Sequence, residues 1–595
     1  AGLVGAKGCV LSCIFYATYV PISRISATKS WSFAARGSTI TGARGPRVAG
    51  IAPVDPTRPR CMPTRNNSSR PLGNNEESFP DAIWRSTVFW RDKAGTAGDA
   101  PPRYVLVDLL VDHPVYYLGN LLIAKYLELT QGLRPWALVS SESDQAIVLI
   151  ARSFGIEDFT YVRDTVSASV SPTAVGILGQ LDGLEGAALR ARVLGLEIDG
   201  LPVGDLLYDT YLREERRVTI ETVDEALKVY VALLVNYFTL YTEILERHEV
   251  AATVTGHLVY ARFGVLARLA ARHGATVYSR YGGKGMRIQK RRSVAETREF
   301  ISCITADLVD GELAAAGDEA VAAGRETLNR RMAGTGNEFQ FLNEEGYSAR
   351  RAEWSPHDFG EAMGLSPDRK VGLVMLHAFP DASHNASHLI FDDFYEWHLK
   401  TLEVASQVPD IDWLIKLHPH LPFYTDDEAP RRIAERFAAD HPQIHLVPET
   451  INTRSFPEVV DFLVTANGKA GLEFAGTGIP VVTVAHSFYN GLGFTVEPES
   501  PEAYAETLRE VDALSLSDEQ QRRALVANDL FYRRMICNCA FIPDTPYQFW
   551  LPFNEIEFWR EYKQALDDLT LDDDPLYLAF SEFVASDDTT LLRPG

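Results

Sequence analysis

Two stretches of this sequence set cationic, imidazole and small residues where a strand should end, and each could hold a phosphate. Lys416-Leu417-His418-Pro419 closes the apolar run Trp413–Leu417. Pro419 stops a strand there, and Lys416 and His418 straddle its end. An ammonium or imidazole in that place can neutralise charge developing on a phosphate leaving group. The second stretch runs from Thr465 to Glu473. Gly468 permits close backbone approach, Gly471 is expected to open a helix whose first amides attract anions, and Lys469 adds a full positive charge. Glu473, one turn in, could accept a hydrogen bond from a ribose or sugar hydroxyl, or simply complement the helix N-terminus. Neither the Walker order nor GxGxxG is present, which turns the reading away from ATPases and dehydrogenases.

Two further groups have chemical potential. In His377-Ala378-Phe379-Pro380-Asp381, followed by His384 and His388, the histidines stand four apart beside Asp381. That spacing invites a metal, but the segment reads as a loop and lacks a third ligand at helical spacing. No metal or other cofactor is expected, and Asp381 is assigned to the donor side. The other group is Asp205, Asp209, Tyr211 and Arg213, with Gly256-His257 and Tyr260 further on. His257 directly follows an apolar run, so its ring should face a cleft and could act as general base for a hydroxyl. Asp209 is the rival base. A buried structural histidine is the plainer alternative.

The elements that must position these residues alternate. Tyr104–Asp112, Trp136–Ser140, Phe159–Val162, Ala251–Thr255 and Thr276–Ser279 read as strands by their β-branched and aromatic content. Between them lie a turn at His113-Pro114 and Gly119-Asn120 and helices over Leu121–Leu129, Gln145–Phe154, Val223–Arg247 and Tyr260–His273. The pattern repeats from residue 366, with strands Val371–Leu376, Trp413–Leu417, Ile444–Val447, Phe462–Thr465 and Pro480–Val484. Such βα alternation implies parallel sheets. The expected organisation is therefore an N-terminal Rossmann-like domain over 100–285, a helical linker over 286–365, and a second Rossmann-like domain over 366–515. An aromatic-rich helical tail over 516–595 should pack across both. In open parallel sheets ligands bind beyond the carboxyl ends of the strands, where all four groups fall.

Composition narrows the partners. The 595 residues carry a net charge of -23, which excludes a nucleic-acid partner because a phosphate backbone needs a basic surface. Hydrophobic residues at 46% and charged residues at 23% suit a globular protein. Six scattered cysteines suggest a reduced, cytoplasmic body. No run of about 20 apolar residues occurs, so no spanning helix is expected. Residues 1–75 hold ten Lys/Arg and a single acid, Asp55. They are expected to be a disordered or non-native extension.

Taken together, the segments resemble the capsule polysaccharide and surface carbohydrate biosynthesis glycosyltransferases, the group that includes the Kdo transferases. Gly204-Asp205-Leu206-Leu207-Tyr208-Asp209-Thr210-Tyr211-Leu212-Arg213 and Gly256-His257-Leu258-Val259-Tyr260 carry the resemblance in the first half. Phe379-Pro380-Asp381, Phe391–Trp397, Lys416–Pro419 and Asn467–Val481 carry it in the second. It implies a GT-B-like α/β fold, two doubly wound Rossmann-like domains facing across a cleft, with the nucleotide-sugar donor in the second and a glycan or lipid-linked acceptor in the first. It implies a metal-independent transfer, with His418 and Pro419 matching the His-Pro pair that contacts donor phosphate in CMP-sugar transferases. On this basis His257, Asp209 and His418 are the catalytic candidates. Lys416, Pro419, Asn467, Gly468, Lys469, Gly471, Glu473 and Asp381 are donor-side, and Asp205, Tyr211, Arg213 and Tyr260 acceptor-side. Capsule-type transferases work at the inner face of a membrane, so peripheral membrane association stays open. Polyol-phosphate transferases and sugar-nucleotide epimerases share the architecture, and a non-catalytic glycan-binding relative is the alternative of another class. One departure stands out: after Asn467-Gly468 the family carries a small hydroxyl residue, whereas this chain has Lys469.

Overall fold

The computed structural model describes residues 78–93, 101–140, 145–163, 171–335, 346–348, 351–419, 421–425, 427–544 and 553–593. The extension at 1–75 lies outside them. The first sheet is built from β1 (Tyr104–Leu109), β2 (Arg134–Ser140) and β3 (Asp158–Val162). After a two-stranded hairpin, β4 (Glu197–Ile198) and β5 (Leu201–Pro202), it continues with β6 (Val250–Thr255), β7 (Thr276–Gly282) and β8 (Gly285–Arg291). Their order is β3-β2-β1-β6-β7-β8, with the tail segment Cys537–Asn538 beyond β8. All neighbours from β3 to β7 are parallel. β8 and the tail segment run antiparallel.

Alternate side chains of β1 enter two cores. Leu106 joins the layer under helix Glu225–Arg247, while Val105, Val107 and Leu109 join the layer covered by the tail. A strand buried on both faces is mostly apolar, so its sequence reads as a run rather than an alternation.

Two expectations are corrected. Gly119-Asn120 does not turn the chain but lies inside helix Pro114–Gln131, which starts immediately after the His113 cap. The reason is tertiary: a Cβ at 119 would come within 2.7 Å of the Arg280 guanidinium. Asn120 Oδ1 accepts from Arg280 Nε at 2.6 Å. The segment read as the start of a helical linker is the buried strand β8, GMRIQKR. Its polar composition conceals it, because Arg287, Gln289 and Lys290 bond to partners far away in sequence, and Arg291 to Glu299 just beyond the strand.

The second sheet comprises β9 (Lys370–Met375), β10 (Ile411–Lys416), β11 (Ile444–Leu446), β12 (Phe462–Thr465), β13 (Val481–Thr483) and β14 (Thr495–Val496). It is parallel throughout, in the order β11-β10-β9-β12-β13-β14. Val371 and Leu373 of β9 face one core, Val374 the other. The tail divides its packing. Helix Asp518–Asp529 lies against helix Asp318–Met332 on the second domain. Helices Glu555–Asp568 and Pro575–Ala585 return to the first, where Phe558 and Trp559 are buried beside the N-terminal helix Ser78–Arg91. Among the described residues no helix is long and apolar enough to cross a membrane.

Candidate functional site

Each sheet has a point where successive strands change sides. In the first it lies between β1 and β6, in the second between β9 and β12. Loops leaving the two strands at such a point diverge, and the crevice between them is where doubly wound sheets take ligands. Gly256-His257 leaves β6. His377 follows β9, and Asn467-Gly468-Lys469 leaves β12.

The second-domain crevice is tightly built. Helix Lys469–Thr477 begins with Gly468 as its N-cap and no side chain capping it, so Lys469, not Gly471, opens the helix. Tyr489 Oη donates to the Gly468 carbonyl at 2.7 Å and pins the turn. Gly471 is required for another reason: a Cβ there would lie 2.0 Å from that same Tyr489 hydroxyl. The Asn467 amide donates to His377 Nε2 at 3.4 Å, and its side chain donates to Asn385 Oδ1 at 2.9 Å. Burial pushes His377 down to about 4, so it is neutral and an acceptor at Nε2. Lys469 is half-buried. Burial, then the charges of Arg331 and Arg287, lower its ammonium to about 7, with Glu473 and Asp381 opposing.

In the first-domain crevice a carboxyl, a phenol and an imidazole are stacked in series. Asp108, at the end of β1 and fully buried, accepts from Tyr116 Oη at 2.5 Å and Thr255 Oγ1 at 2.8 Å. The Tyr116 hydroxyl accepts the Gly256 amide at 3.1 Å, and its ring lies 5.5 Å from the His257 ring, nearly parallel. Only glycine fits at 256, since a Cβ would come within 2.3 Å of the Tyr116 ring. Burial, together with the charges of Arg280 and Arg213, pushes His257 down to about 3, which keeps it neutral. Tyr260 has φ of +62°, a conformation an aromatic residue adopts only when its surroundings impose it. Its hydroxyl reaches across to Asp381 Oδ1 at 3.3 Å.

The loop after β9 is clasped by helix Gly204–Glu215 of the first domain. His384 Nδ1 lies 2.7 Å from Asp209 Oδ1, and its backbone amide donates to Asp209 Oδ2 at 3.1 Å. Ser387 donates to Asp205 Oδ2 at 3.2 Å. Tyr208 Oη donates to Asp393 at 2.6 Å, and Arg190 reaches Asp392 and Glu396. Ala382 and Ser387 in this loop also have positive φ.

These contacts revise several sequence expectations. Asp209 is buried with both oxygens engaged by His384, which places it in the domain contact rather than in an open cleft. Asp205 forms a buried pair with Arg268 at 2.6 Å; burial alone would raise its pKa, and the guanidinium overrides that and holds it at about 2. Tyr211 donates to Asp224 at 2.9 Å, the cap of the next helix. Glu473 turns inward to Arg331, Tyr532 and Tyr347. His384 belongs to the clasp, and among the described residues no group of three His, Cys, Asp or Glu side chains could hold a metal.

Lys416 ends β10, directly beside β9, and is buried. His418 and Pro419 follow it, half-buried. Arg213 stacks 4.5 Å over the Tyr424 ring, just beyond that loop. Sequence reasoning missed Asp108, Arg280, Arg287 and Arg331. Asp108 was hidden inside an apolar strand, where an isolated buried acid is itself a signal. The arginines come from distant segments that only folding joins.

The fold is of the GT-B kind: two Rossmann-like domains with opposed crevices. No family model matches the chain, and no curated protein matches its sequence. Among solved structures it is similar to Thermosulfurimonas dismutans KpsC, a beta Kdo 2,4 transferase, at 14% identity over 48% of this chain and 85% of that one, with a TM-score of 0.27. It is also similar to the Neisseria meningitidis UDP-GlcNAc 2-epimerase bound to UDP-GlcNAc, at 10% identity over 72% and 100% of the two chains and a TM-score of 0.22. The spinosyn rhamnosyltransferase SpnG matches at 11% over 72% and 96%, with the same TM-score of 0.22. Likeness of this grade carries no argument about activity.

Proposed function

We propose that the protein is a glycosyltransferase, moving a sugar from a nucleotide-sugar donor in the second domain to a glycan or lipid-linked acceptor, of the surface or capsular kind, in the first. One observation carries the reading. A helix N-terminus with a lysine at its first position, in one crevice, is tied through Tyr260 and Asp381 to a second crevice holding a neutral imidazole, His257.

In the reaction the acceptor oxygen bonds to the anomeric carbon as the bond from that carbon to the donor phosphate breaks. The electron pair leaves on the phosphate. Lys469, His418 and the amides of helix Lys469–Thr477 stabilise it there, so side chains rather than a divalent cation supply the positive charge. The acceptor hydroxyl gives its proton to His257. So low a pKa makes His257 a weak base, and its proton is taken late, when the forming bond has already acidified the hydroxyl. Asp108 and Tyr116 orient the ring.

The test is a thermal-shift panel of CMP-, UDP-, GDP- and CDP-sugars on the purified chain, since a ligand of the native state raises its melting temperature. Product analysis of the binding donor with candidate acceptors follows. His418→Ala and His257→Ala should each lower transfer by about 100-fold or more; His418→Ala should leave the melting temperature in place, whereas removing the buried His257 ring should lower it. Full turnover in His418→Ala would overturn the assignment. A donor isomerised or hydrolysed with no acceptor present would identify an epimerase of the same architecture instead.

A further inference from the structure

One short segment of the loop after β9, from Asp381 to Ser387, touches both crevices and the helix between them. At its start Asp381 Oδ1 accepts from the Tyr260 hydroxyl, in the first-domain crevice, at 3.3 Å. Three residues on, His384 engages Asp209 through ring Nδ1 at 2.7 Å and through its backbone amide at 3.1 Å. At the far end Ser387 donates to Asp205 at 3.2 Å. Both carboxylates belong to helix Gly204–Glu215 of the first domain. Between these anchors Asn385 turns toward the second domain: its Oδ1 accepts the side-chain amide of Asn467 at 2.9 Å. Asn467 immediately precedes Gly468, the N-cap of helix Lys469–Thr477, so that contact acts on the turn assigned to the donor.

The segment has little shape of its own. Its backbone bonds to itself in two turns, from Asn385 N to the Ala382 carbonyl at 3.1 Å and from Ser387 N to the His384 carbonyl at 2.8 Å. Ala382 and Ser387 hold φ of +50° and +55°, the left-handed region that a residue with a Cβ keeps only when its surroundings impose it. The first domain supplies that constraint through Asp205 and Asp209, both buried. The second domain takes hold again just beyond the segment, where His486 N donates to the His388 carbonyl at 2.9 Å. Loss of the helix's grip would let the bracketed residues relax, and Asn385, next to His384, would move with them.

We propose that Asn385 is a positioning residue for the donor turn, through which helix Gly204–Glu215 of the first domain sets the second domain's affinity for its nucleotide. This rests on the donor-site reading above. Asn385 acts by holding Asn467, whose backbone amide also donates to His377 Nε2 at 3.4 Å. The two bonds together fix the residue that leads into the Gly468 turn. Coupling of this kind is reciprocal, so a bound nucleotide in turn tightens the hold on the helix.

The test is a double-mutant cycle on nucleotide affinity in the full chain, by titration calorimetry well below the melting temperature. Of CMP, CDP, UMP, UDP, GMP and GDP, the tightest binder to the wild type is the probe. Asn385→Ala and Asp209→Ala should each weaken its binding by about three- to thirtyfold, the range of energetic coupling between linked sites, although Asp209 lies in the other domain. Together they should weaken it no further than the larger single effect, because the second change acts through a contact the first has removed. If Asp209→Ala does not fold, Asp209→Asn, which keeps one acceptor for His384, should show a smaller loss that also vanishes in the Asn385→Ala background. Tyr126→Phe controls for general destabilisation: it removes a buried bond to Asp574 at 2.5 Å, where the tail meets the first domain, and should leave the affinity unchanged. Unchanged affinity in Asn385→Ala, losses that add in the double variant, or an equal loss in Tyr126→Phe would overturn this inference and leave the donor site standing. No binding of any nucleotide by the wild type would remove both.

Discussion

Replacing Glu473 with alanine separates two roles for this side chain, since its position one turn into a helix suits a ligand contact while its surroundings suit a core pair. Oε1 accepts from Arg331 Nε at 2.8 Å and Tyr532 Oη at 2.6 Å, and Oε2 from Tyr347 Oη at 2.7 Å. Removing the carboxylate leaves a buried guanidinium without its counter-charge and two buried phenols without their acceptor. Breaking one partner of a buried pair costs about 3–5 kcal/mol. At roughly 2–4 °C per kcal/mol for a domain of this size, the melting temperature should fall by about 6–20 °C. Glu473→Gln keeps the shape and part of the hydrogen bonding and should lose less. The pH dependence adds a second check. Burial would raise the Glu473 pKa, but Arg331 and the two phenols override it, and the folded value lies below the ordinary 4.5. Its stabilisation is therefore complete above about pH 4.5 and lost as pH falls through the folded value. Urea midpoints of the wild type and Glu473→Ala should converge in acid. An unchanged midpoint at neutral pH combined with lost nucleotide binding would refute the structural role and return Glu473 to the ligand.

Two other perturbations follow from the packing. Gly471→Ala puts a methyl 2.0 Å from the Tyr489 hydroxyl and should destabilise by about 1–3 kcal/mol through overpacking. Adding Tyr489→Phe, which removes that hydroxyl, should recover part of the loss, so a double-mutant cycle read by urea unfolding should be non-additive. Asp209→Asn tests the clasp. Burial alone would lower the His384 pKa, but Asp209 overrides it and raises the value above 6.5. That contribution to stability is complete below pH 6.5 and is lost as pH rises through the raised folded value. As pH rises above 6.5 the stability advantage of the wild type over Asp209→Asn should shrink, as read by unfolding midpoints.

Much of the architecture was legible because local rules suffice for it. β-branched runs such as Tyr104–Leu109 and Phe462–Thr465, set between amphipathic helices, can be satisfied only as buried parallel strands with helices on both faces. The two phosphate-suited loops were visible for the same reason: Pro419 and Gly468 act on the residues next to them. β8 was not legible, because Arg287, Gln289 and Lys290 read as surface until their partners Phe531, Thr590 and Phe583 are folded against them. Gly119-Asn120 misled in the same way, since a pair that would turn an isolated chain is here kept helical by Arg280.

The sequence by itself determined two βα domains and the strand-end loops that carry Lys416–Pro419 and Asn467–Glu473. Only the tertiary structure decided which charged residues meet. Asp209 and His384, 175 positions apart, became a domain clasp, which takes Asp209 out of the role of base. Arg331, from outside every recognised motif, came to hold Glu473, and Arg287 the Phe531 carbonyl. Secondary structure is fixed by neighbours a few residues away, whereas a buried charge is governed by whatever the fold brings within a few ångströms, and spacing along the chain holds no record of that.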